Sequence, residues 1–378
     1  MINFIKKKIK IFYKRIIIQL FIPLYSKPKI LKKNQKDNSI KEFKIKIEGN
    51  HYKIFQLLNG SIFTDSNDTT AYISREKNLS QASMQYYKID SINSFNGHIS
   101  KNETLKIGTP KFKRKFNGRI LSLLSGGASK DNFTHWFTDV IPRIGIYCKK
   151  FKLNNIDKFY IPSIKYKFQI ESLKILGIKE NQIITSEKYK HISANTIYAT
   201  SHPCFHLPMK VKKWSLNFLD KIYSNSTYKK KYKKIFIDRD QFKLIDTDNL
   251  EKYRNYRVLL NEIDIKNYLS SNGFDIIKPE NYSFMEQVKI FSSAKHVVGL
   301  YGAAMMMLAF CKKNTKVLEI KPILGGNEFL NISKLKNLKH KQINLKPILE
   351  SMTPQNGLLI CPIDKIKKEL KFLGLKTI

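Results

Sequence analysis

Apolar and polar residues alternate with a short period between about residues 43 and 125, and this pattern predicts β-strands. The stretches that carry it are FKIKI, HYKIFQLL, AYIS and RILSLLS, with Gly, Asn and Ser turns between them. A helical period follows from about Asn132 to Phe151. Beyond it, KFYIPS is a predicted strand, FQIESLKILG a helix and NTIYA a strand. The first half is therefore predicted to continue as α/β.

Strands and helices alternate more regularly in the second half. The strand KKIFID comes before a predicted helix over 261–272, and Gly273 is a good residue to end that helix. Ser283 and Glu286 form a predicted capping box for the helix FMEQVKIFSSA. The remaining segments predict the strands FDIIKP, HVVGLY and KVLEIKP, and the helices GAAMMMLAF and PIDKIKKELKFLGL. This alternation predicts a parallel, doubly wound sheet with a ligand at the carboxyl ends of its strands.

Together these patterns predict an α/β protein with two Rossmann-like lobes and a cleft between them. The 378 residues are enough for two domains of ordinary size. The predicted divisions are a basic N-terminal segment and linker at 1–41, a first lobe at 42–200, a hinge at 201–232, a second lobe at 233–350 and a C-terminal helix at 351–378.

Charge is the unusual property of the composition. The chain has 69 Lys and Arg against 30 Asp and Glu, a net charge of +39, which favours binding to nucleic acids or membrane surfaces. Only eight of these cations are Arg, whereas proteins that recognise nucleic acids commonly use the planar arginine fork. We therefore interpret most of the lysine as compositional background and predict no nucleic-acid partner. Interest moves to three arginines: Arg143, Arg239 and Arg257.

The first 50 residues concentrate the positive charge, with 14 cations and three acids, a net +11. The apolar stretch Ile16–Tyr25 is too short to span a bilayer as a helix, and no small-residue cleavage site follows it. Two interpretations stay open. The segment is either a basic amphipathic element on an anionic membrane surface or a first helix packed on the domain. Four scattered cysteines without a CxxC pair favour free thiols in a reducing cytosol.

The segment GGASKDNFTHWFTDVIPRIGIY (126–147) holds the first candidate catalytic residues. His135, Asp139 and Arg143 are spaced i, i+4, i+8, which places them on one face of the predicted helix. An acid one turn from a histidine can orient the ring and raise its basicity, as a general base requires. The alternative is a surface stripe of solvated polar residues.

Residues around this trio define the predicted ends of the helix. Gly126 and Gly127 allow a tight turn, and Asp131 or Asn132 can cap the helix. Pro142 lacks a backbone N–H and predicts a kink or break near the carbonyl of Thr138.

A small-residue turn follows a strand in VVGLYGAAMM (297–306). Gly302 and Ala303 would let backbone N–H groups approach a phosphate closely, or would only allow tight helix–sheet packing. Glu319, near the carboxyl end of the next predicted strand, would accept hydrogen bonds from ribose hydroxyls or would be an exposed acid.

Arg239 follows the strand IFID and could hold a diphosphate through two parallel hydrogen bonds. Its neighbours Asp238 and Asp240 form a D-x-D pattern of the kind that binds metal in some sugar transferases, and Asp246 and Asp248 repeat it. Such short patterns are common by chance, and we predict no metal.

One further group could in principle bind a metal: His202, Cys204 and His206. Pro203 and Pro208 prevent these three residues from sharing a helix face. We therefore interpret the segment as a loop with incidental histidines.

In their order along the chain, these segments resemble glycosyltransferase family 61, which includes bacterial capsular and lipopolysaccharide-type transferases and eukaryotic O-linked GlcNAc and plant xylan transferases. The resemblance covers roughly residues 120–150 and 233–322. The matching pieces are Asn132–Arg143, Ile237–Arg239, Arg257, Asn261-Glu262, Gly273-Phe274, Phe284–Gln287, Val298–Ala304 and Val317–Ile320.

The resemblance implies an inverting, GT-B-like transferase that moves a sugar from a nucleotide sugar, expected to be UDP-linked, to a glycan hydroxyl. It implies neither a cofactor nor an essential metal. The second lobe would hold the donor and the first the glycan or lipid-linked glycan acceptor. The expected pathway is the synthesis of a bacterial surface polysaccharide, namely capsule, O-antigen or lipopolysaccharide. The expected location is the cytoplasm, with attachment to the inner face of the plasma membrane left open.

The family's functional residues fall on specific positions of this sequence. The implied catalytic residues are His135 and Asp139, the implied acceptor-side residue is Arg143, and the implied donor contacts are Arg239, Arg257, Tyr301, Gly302, Ala303 and Glu319. Tyr301 is a departure, because the family usually has His immediately before the Gly-Ala pair. A tyrosine keeps a hydrogen-bonding tip but carries no positive charge near neutral pH.

Two alternative functions remain at this stage. One is a non-catalytic basic protein that binds nucleic acid or a membrane surface. The other, motivated by Tyr301, is a catalytically impaired relative that binds a nucleotide sugar.

Overall fold

Strands and helices alternate along most of the chain in this computed structural model, which is of the mixed α/β class, as predicted. The structure describes residues 2–32, 34–65, 70–83, 87–89, 92–94, 99–124, 132–204, 211–224, 232–349 and 351–375. The chain divides into two units, Met1–Met209 and Lys210–Ile378.

The first unit contains ten strands and five α-helices within its described residues. The strands are β1 (Ile40–Ile47), β2 (Asn50–Leu58), β3 (Ser61–Phe63), β4 (Ala71–Ile73), β5 (Tyr87–Ile89), β6 (Ile92–Ser94), β7 (Lys113–Ser122), β8 (Lys158–Ile161), β9 (Ile183–Thr185) and β10 (His191–Thr200). The helices are α1 (Ile2–Tyr25), α2 (Thr104–Ile107), α3 (Phe133–His135), α4 (Ile141–Tyr147) and α5 (Lys167–Ile175), with a π-helical turn at Trp136–Val140. Short 3₁₀ helices lie at Gln81–Ser83, Ile99–Lys101, Leu153–Asn155 and Glu180–Gln182.

The main sheet of the first unit is mixed. Its order is β1-β2-β10-β7-β8-β9, with β3 paired to β10 and β4. The run β10-β7-β8-β9 is parallel, whereas β1 and β2 are antiparallel. The antiparallel part begins at a two-residue turn, Glu48 and Gly49, where both φ angles are positive (44 and 79) as tight hairpin turns require. The first unit therefore lacks the wholly parallel sheet of a Rossmann-like lobe.

The second unit is built from shorter strands and longer helices. Its strands are β11 (Lys234–Ile237), β12 (Arg257–Leu259), β13 (Asp275–Ile277), β14 (His296–Leu300), β15 (Lys316–Pro322), β16 (Lys339–Leu345) and β17 (Gly357–Leu359). Its α-helices are α6 (Lys213–Tyr223), α7 (Glu262–Ser271), α8 (Phe284–Ser293), α9 (Glu328–Leu335) and α10 (Ile363–Phe372). Its 3₁₀ helices are Phe242–Leu244, Thr247–Tyr253, Pro279–Asn281 and Ala303–Phe310.

The five-stranded sheet of the second unit is parallel throughout, as predicted. Its order is β13-β11-β14-β15-β16, so the first strand of the sheet lies between the second and the third. In doubly wound sheets, ligands bind outside the carboxyl ends of the two strands where the order reverses. Here those strands are β11 and β14, and the residues that follow them are Asp238-Arg239 and Tyr301-Gly302.

Helices α7 and α10 cover one face of this sheet. The cluster of buried side chains between them and the strands includes Phe236, Val298, Leu318, Ile265, Leu269, Ile366 and Leu370. The helix boundaries in this unit follow their sequence signals. Ser283 and Glu286 form the predicted capping box of α8, and Gly273 ends α7 with a φ of 75.

Two elements of the second unit differ from prediction. The segment GAAMMMLAF forms a 3₁₀ helix, Ala303–Phe310, rather than an α-helix. Met305–Phe310 is completely buried, so packing rather than intrinsic propensity sets its geometry. Helix α6 lies inside the range predicted as a hinge, because its strongly amphipathic sequence buries Trp214, Leu216 and Leu219.

Candidate functional site

The helix that carries His135 and Asp139 begins at Asn132. The Asn132 side chain accepts hydrogen bonds from the backbone N–H groups of Thr134 (2.9 Å) and His135 (3.2 Å), which is the geometry of an N-cap. The predicted glycine turn at Gly126 and Gly127 and the alternative cap Asp131 lie outside the described residues.

Pro142 breaks the regular helix, and the break takes the form of a π-helical turn. The backbone N–H of Ile141 bonds to the carbonyl of Trp136, five residues earlier. Because Pro142 has no N–H to give to the carbonyl of Thr138, that oxygen instead lies 3.8 Å from the thiol of Cys204. Single π-helical turns of this kind are frequent at functional sites.

His135 and Asp139 form a short hydrogen bond across this turn. His135 Nδ1 lies 2.6 Å from Asp139 Oδ2, and the second carboxylate oxygen accepts from the hydroxyl of Thr138 at 2.9 Å. An ionised carboxylate only accepts hydrogen bonds, so Nδ1 carries the proton and Nε2 is the ring nitrogen that can take up another. The His135 side chain is 19% exposed and that of Asp139 only 1%. The pair is therefore not a solvated surface stripe.

A second histidine, His202, approaches the same carboxylate from the segment that follows β10. His202 is completely buried, with Nε2 3.8 Å from Asp139 Oδ2. Its Nδ1 lies 2.8 Å from the carbonyl oxygen of Cys204. Burial is the main cause that lowers the pKa of His202 to about 4, with the attraction of Asp139 opposing it and the charge of Arg143 adding to it. His202 is thus neutral at neutral pH.

The electrostatic surroundings keep Asp139 ionised. Burial alone would raise the pKa of this carboxyl. In the acid range where Asp139 would take up a proton, His202 and His135 are positively charged, and their attraction, together with hydrogen bonds from His135 and Thr138, outweighs burial and leaves the pKa of Asp139 below its ordinary value. A weakly basic, buried carboxylate is suited to orient a histidine rather than to accept a proton itself.

Arg143 lies completely inside the first unit. Its Nε donates to the backbone carbonyl of Asp139 at 3.0 Å, and its Nη1 donates to the backbone carbonyl of Thr200 at 2.9 Å. The guanidinium therefore joins the candidate catalytic helix to the end of β10. Arg143 has no exposed surface and holds the backbone of Asp139, and its predicted role on the acceptor side stays a prediction.

In the second unit, Arg239 and Arg257 converge on one backbone oxygen. Both donate through Nη1 to the carbonyl of Tyr301, Arg239 at 3.3 Å and Arg257 at 2.8 Å. Gln241 joins them when its amide is oriented to satisfy both contacts: its oxygen accepts from Arg239 at 3.0 Å and its nitrogen donates to the Arg257 carbonyl at 2.8 Å. No carboxylate of the described residues forms an ion pair with either guanidinium.

The two half-buried arginines repel each other. Burial and the charge of Arg257 lower the pKa of Arg239 to about 10, against the attraction of Glu262. Burial also lowers the pKa of Arg257. Two guanidiniums held together without an ion-paired carboxylate form a positively charged site that an anion would stabilise.

Gly302 is the residue over which these two arginines pack. A Cβ atom there would lie 2.9 Å from Arg239 Nη1 and 3.3 Å from Arg257 Nη1. Its backbone is extended (φ 161), so the glycine is required by close approach and not by an unusual conformation. Ala303, which follows it, begins the 3₁₀ helix.

Tyr301 is enclosed by charged side chains. The guanidinium carbon of Arg257 lies 4.6 Å from the ring centroid, and the Lys321 ammonium lies 5.8 Å from it. The hydroxyl donates to Glu328 at 3.0 Å. Burial, with the charge of Glu328, raises the pKa of Tyr301, so the phenol stays neutral. The positive charge around this position comes from Arg257 and Lys321.

The sequence model of the family Glycosyltransferase 61 matches residues 133–318. This chain belongs to glycosyltransferase family 61. The match begins at the helix that holds His135 and Asp139 and extends through β11 and β14 to the first three residues of β15. Family membership implies glycosyltransferase activity, with a nucleotide-sugar donor and a glycan acceptor in general terms. No curated protein matches the sequence.

Glu319 of this family 61 chain lies inside strand β15 and not near its end, so its predicted position is wrong, and so is the alternative of an exposed acid. Strand β15 continues to Pro322, because its last residues pair with β16. Glu319 is completely buried, and its Oε2 accepts from His340 Nε2 at 3.1 Å and from Gln342 Nε2 at 2.7 Å. The carboxylate is thus bound to the neighbouring strand, and its contact with a donor ribose stays a prediction.

The aspartates on either side of Arg239 are bound by lysines. Asp238 Oδ1 lies 2.7 Å from Lys266 Nζ, and Asp240 Oδ2 lies 2.7 Å from Lys278 Nζ. Among the described residues, no three His, Cys, Asp or Glu side chains are arranged to hold a metal ion. His206, one of the candidate ligands in the sequence, lies outside them.

The structure adds three residues of the family 61 chain that the sequence did not point to as site residues. His202 contacts the candidate catalytic aspartate, Glu328 accepts from Tyr301, and Lys321 holds the loop beside Tyr301. Lys321 Nζ donates to the carbonyls of Gly325 (2.7 Å) and Gly326 (2.6 Å). The contacts of His202 and Glu328 join residues that are far apart in sequence, so no local sequence pattern could reveal them.

Proposed function

We propose that this family 61 chain is an inverting glycosyltransferase that moves a sugar from a nucleotide sugar to a hydroxyl of a glycan by single displacement. The observation that carries the proposal is the His135–Asp139 pair, in which a partly exposed imidazole is oriented by a buried carboxylate at 2.6 Å. In the proposed reaction, the acceptor oxygen attacks the anomeric carbon while its proton passes to His135 Nε2, and the bond to the nucleoside diphosphate breaks.

His135 is the better of the two candidate bases. Asp139 is only 1% exposed, and its pKa lies below the ordinary value, so it is both inaccessible and weakly basic. As an ionised partner, Asp139 stabilises the imidazolium that forms when His135 takes the acceptor proton. Thr138 holds Asp139 through its carboxylate and Arg143 holds it through its backbone carbonyl.

We assign the donor diphosphate to Arg239 and Arg257. These guanidiniums converge over Gly302 at the carboxyl ends of β11 and β14, where the strand order reverses. A diphosphate would relieve their mutual repulsion and, as the leaving group, would gain negative charge opposite them. We propose that these arginines, rather than a metal ion, meet the charge of the leaving group.

The finer details follow from the family resemblance and are part of the same proposal. They are a UDP-linked donor, a GT-B arrangement of two lobes, a glycan or lipid-linked glycan acceptor, and a role in bacterial capsule, O-antigen or lipopolysaccharide synthesis in the cytoplasm.

A thermal-shift screen of the full chain tests the donor assignment. A ligand that is present at about 100 times its Kd for the folded state adds about 2.7 kcal/mol of stability, which raises the melting temperature of a chain of this length by about 3 °C. We expect one class among UDP, GDP, CMP and dTDP compounds to give such a shift. Arg239→Ala should abolish the shift, and Arg254→Ala, which removes an exposed arginine paired with Glu251, should retain it. A shift unchanged by Arg239→Ala would refute the assignment.

A further inference from the structure

Helix α1 of the first unit carries two separate apolar stripes. The first consists of Ile18, Phe21, Ile22 and Tyr25, and all four are partly buried. The second recurs every three or four residues on the other side of the helix and remains exposed: Ile9, Phe12, Tyr13, Ile16, Ile17, Leu20 and Leu24. We call this second set the exposed stripe.

The first stripe fixes the end of α1 to the body of the unit. The Tyr25 hydroxyl accepts from the backbone N–H of Lys113 at 3.1 Å, and its ring packs edge-on against His191 at 5.1 Å. Phe21 packs edge-on against Phe112 at 4.9 Å. The exposed stripe is therefore held in a definite direction relative to the first unit.

The exposed stripe is too large to be incidental surface. Phe12, Tyr13, Leu20 and Leu24 are each between 61% and 63% exposed, and Phe112, beside the helix, is 81% exposed. A contiguous, solvent-exposed apolar surface of this kind marks an interaction site.

The charge of the helix indicates what covers the stripe. Helix α1 has six cations, Lys6, Lys7, Lys8, Lys10, Lys14 and Arg15, and no acid. Lys14 and Arg15 are exposed. Two copies of such a helix would repel each other, whereas an anionic bilayer offers both acyl chains for the apolar side chains and phosphate groups for the cations.

We propose that the exposed stripe of α1 docks this protein onto the surface of an anionic phospholipid bilayer. Helix α1 lies in the plane of the interface, with Leu20 and Leu24 among the acyl chains and Lys14 and Arg15 at the headgroups. This inference goes beyond the proposed transferase activity and does not depend on it, because it concerns binding alone.

Flotation of the purified full chain with phosphatidylcholine vesicles, with and without phosphatidylglycerol, tests the proposal. We expect the protein to float with the anionic vesicles and to be released by high salt. The Leu20→Ser, Leu24→Ser double variant should bind more weakly by on the order of tenfold for each leucine. Lys14→Glu and Arg15→Glu should each weaken binding to anionic vesicles by about fivefold.

A matched control replaces two exposed apolar residues elsewhere, Leu244 (66% exposed) and Ile263 (56% exposed), by Ser. This variant should float as the wild type does, and all variants should keep the wild-type melting temperature because each changed side chain is exposed. The proposal is overturned if the wild type does not float with anionic vesicles, or if the Leu20→Ser, Leu24→Ser variant floats equally well. It is also overturned if the only effect of that variant is to convert a dimer in solution into monomers, since a second copy of the chain would then cover the stripe.

Discussion

At the scale of single residues, the two candidate clusters depend on close contacts, in which a change of a few tenths of an ångström matters. Gly302 leaves just enough space for Arg239 and Arg257 to share the carbonyl of Tyr301. Asp139 is the common neighbour of His135, Thr138 and His202. Each cluster therefore contains one residue whose smallest change should alter function more than stability.

Gly302→Ala should weaken donor binding without unfolding the protein. The new Cβ would lie 2.9 Å from Arg239 Nη1, which is the mobile end of a side chain, so the guanidinium moves away rather than the backbone. We expect kcat/KM for the donor to fall by about tenfold, equivalent to about 1.4 kcal/mol, with part of the loss in kcat because Arg239 faces the charge that develops on the leaving group. Steady-state kinetics and a melting curve measure this, and an unchanged kcat/KM would contradict the assignment of the diphosphate to this position.

Asp139→Asn should lower kcat by about 100-fold or more. The amide keeps the size of the carboxylate, but without the negative charge it holds the Nδ1 proton of His135 less firmly and no longer stabilises the imidazolium. Turnover should recover partly at higher pH, because the acceptor hydroxyl then loses its proton more readily and a weaker base is sufficient. Asp248→Asn, at an exposed position, is the matched control and should leave kcat unchanged. Equal activity of the two variants would refute the orienting role of Asp139.

Sequence spacing predicted one of the two contacts of Asp139 and missed the other. His135 is four residues away in a helical segment, so its proximity follows from helix geometry. His202 approaches from a segment that the sequence described as a loop, and only the packing of β10 against the helix brings it to 3.8 Å. The burial of Glu319 was missed for a related reason, because it depends on the pairing of β15 with β16.

At the scale of secondary structure, the π-helical turn at Trp136–Val140 sets the relative orientation of His135 and Asp139. The sequence predicted a distortion from Pro142, but not its type. The type follows from packing, because Ile141, Pro142 and Arg143 are all buried and cannot swing outward as in a simple kink.

Pro142→Ala should separate activity from stability. Alanine supplies an N–H that can bond to the Thr138 carbonyl and favours a regular α-helix. The new bond offsets the loss of the buried ring, so the free energy of unfolding should change by less than about 1 kcal/mol. Reorientation of His135 should still lower kcat by about tenfold or more. Denaturant unfolding and kinetics measure the two effects, with Pro279→Ala in a 3₁₀ helix of the second unit as control. Full activity would mean that the π-helical turn does not matter.

Strands and helices of the second unit were predictable because each has a local signal, such as the capping box at Ser283 or Gly273 after α7. The order of the strands has no local signal. It is the order β13-β11-β14 that brings Arg239 beside Tyr301, although the two are far apart in sequence. The parallel class could thus be predicted, but the pairing of the arginines could not.

At the scale of the whole molecule, buried histidines make the fold sensitive to acid. Burial is the main cause that lowers the pKa values of His191, His202 and His296 to about 4 each. An unfolded histidine has a pKa near 6.5. Between these values the unfolded chain binds protons that the folded chain does not, so stability falls as the pH falls.

The melting temperature should therefore be constant above about pH 6.5 and decline, by on the order of 5 °C or more, toward pH 4. Below pH 4 these histidines add no further loss, and protonation of Asp139 then becomes the destabilising step. His296 has no hydrogen-bond partner for either ring nitrogen, so His296→Leu should raise stability and flatten the decline. A melting temperature independent of pH in this range would contradict the burial of these histidines in solution.

The positive charge of the chain points to a function mainly where the structure places it beside a specific feature. A net +39 by itself favoured any anionic partner. The structure separates two uses of that charge: arginines packed over Gly302 in the second unit, and a basic helix with an exposed apolar stripe in the first. The sequence left the first helix open between docking on the domain and lying on a membrane, and α1 has one stripe suited to each.

The most direct test of the account is the release of nucleoside diphosphate by the purified full chain, supplied with the nucleotide sugar that stabilises it and a mixture of glycan and lipid-linked glycan acceptors. We predict acceptor-dependent release by the wild type and by His51→Gln, which changes an exposed histidine. His135→Gln should reduce release by about 100-fold or more while retaining the donor-induced rise in melting temperature. Release by His135→Gln at the wild-type rate, or donor binding by the wild type without any transfer, would contradict the central claim.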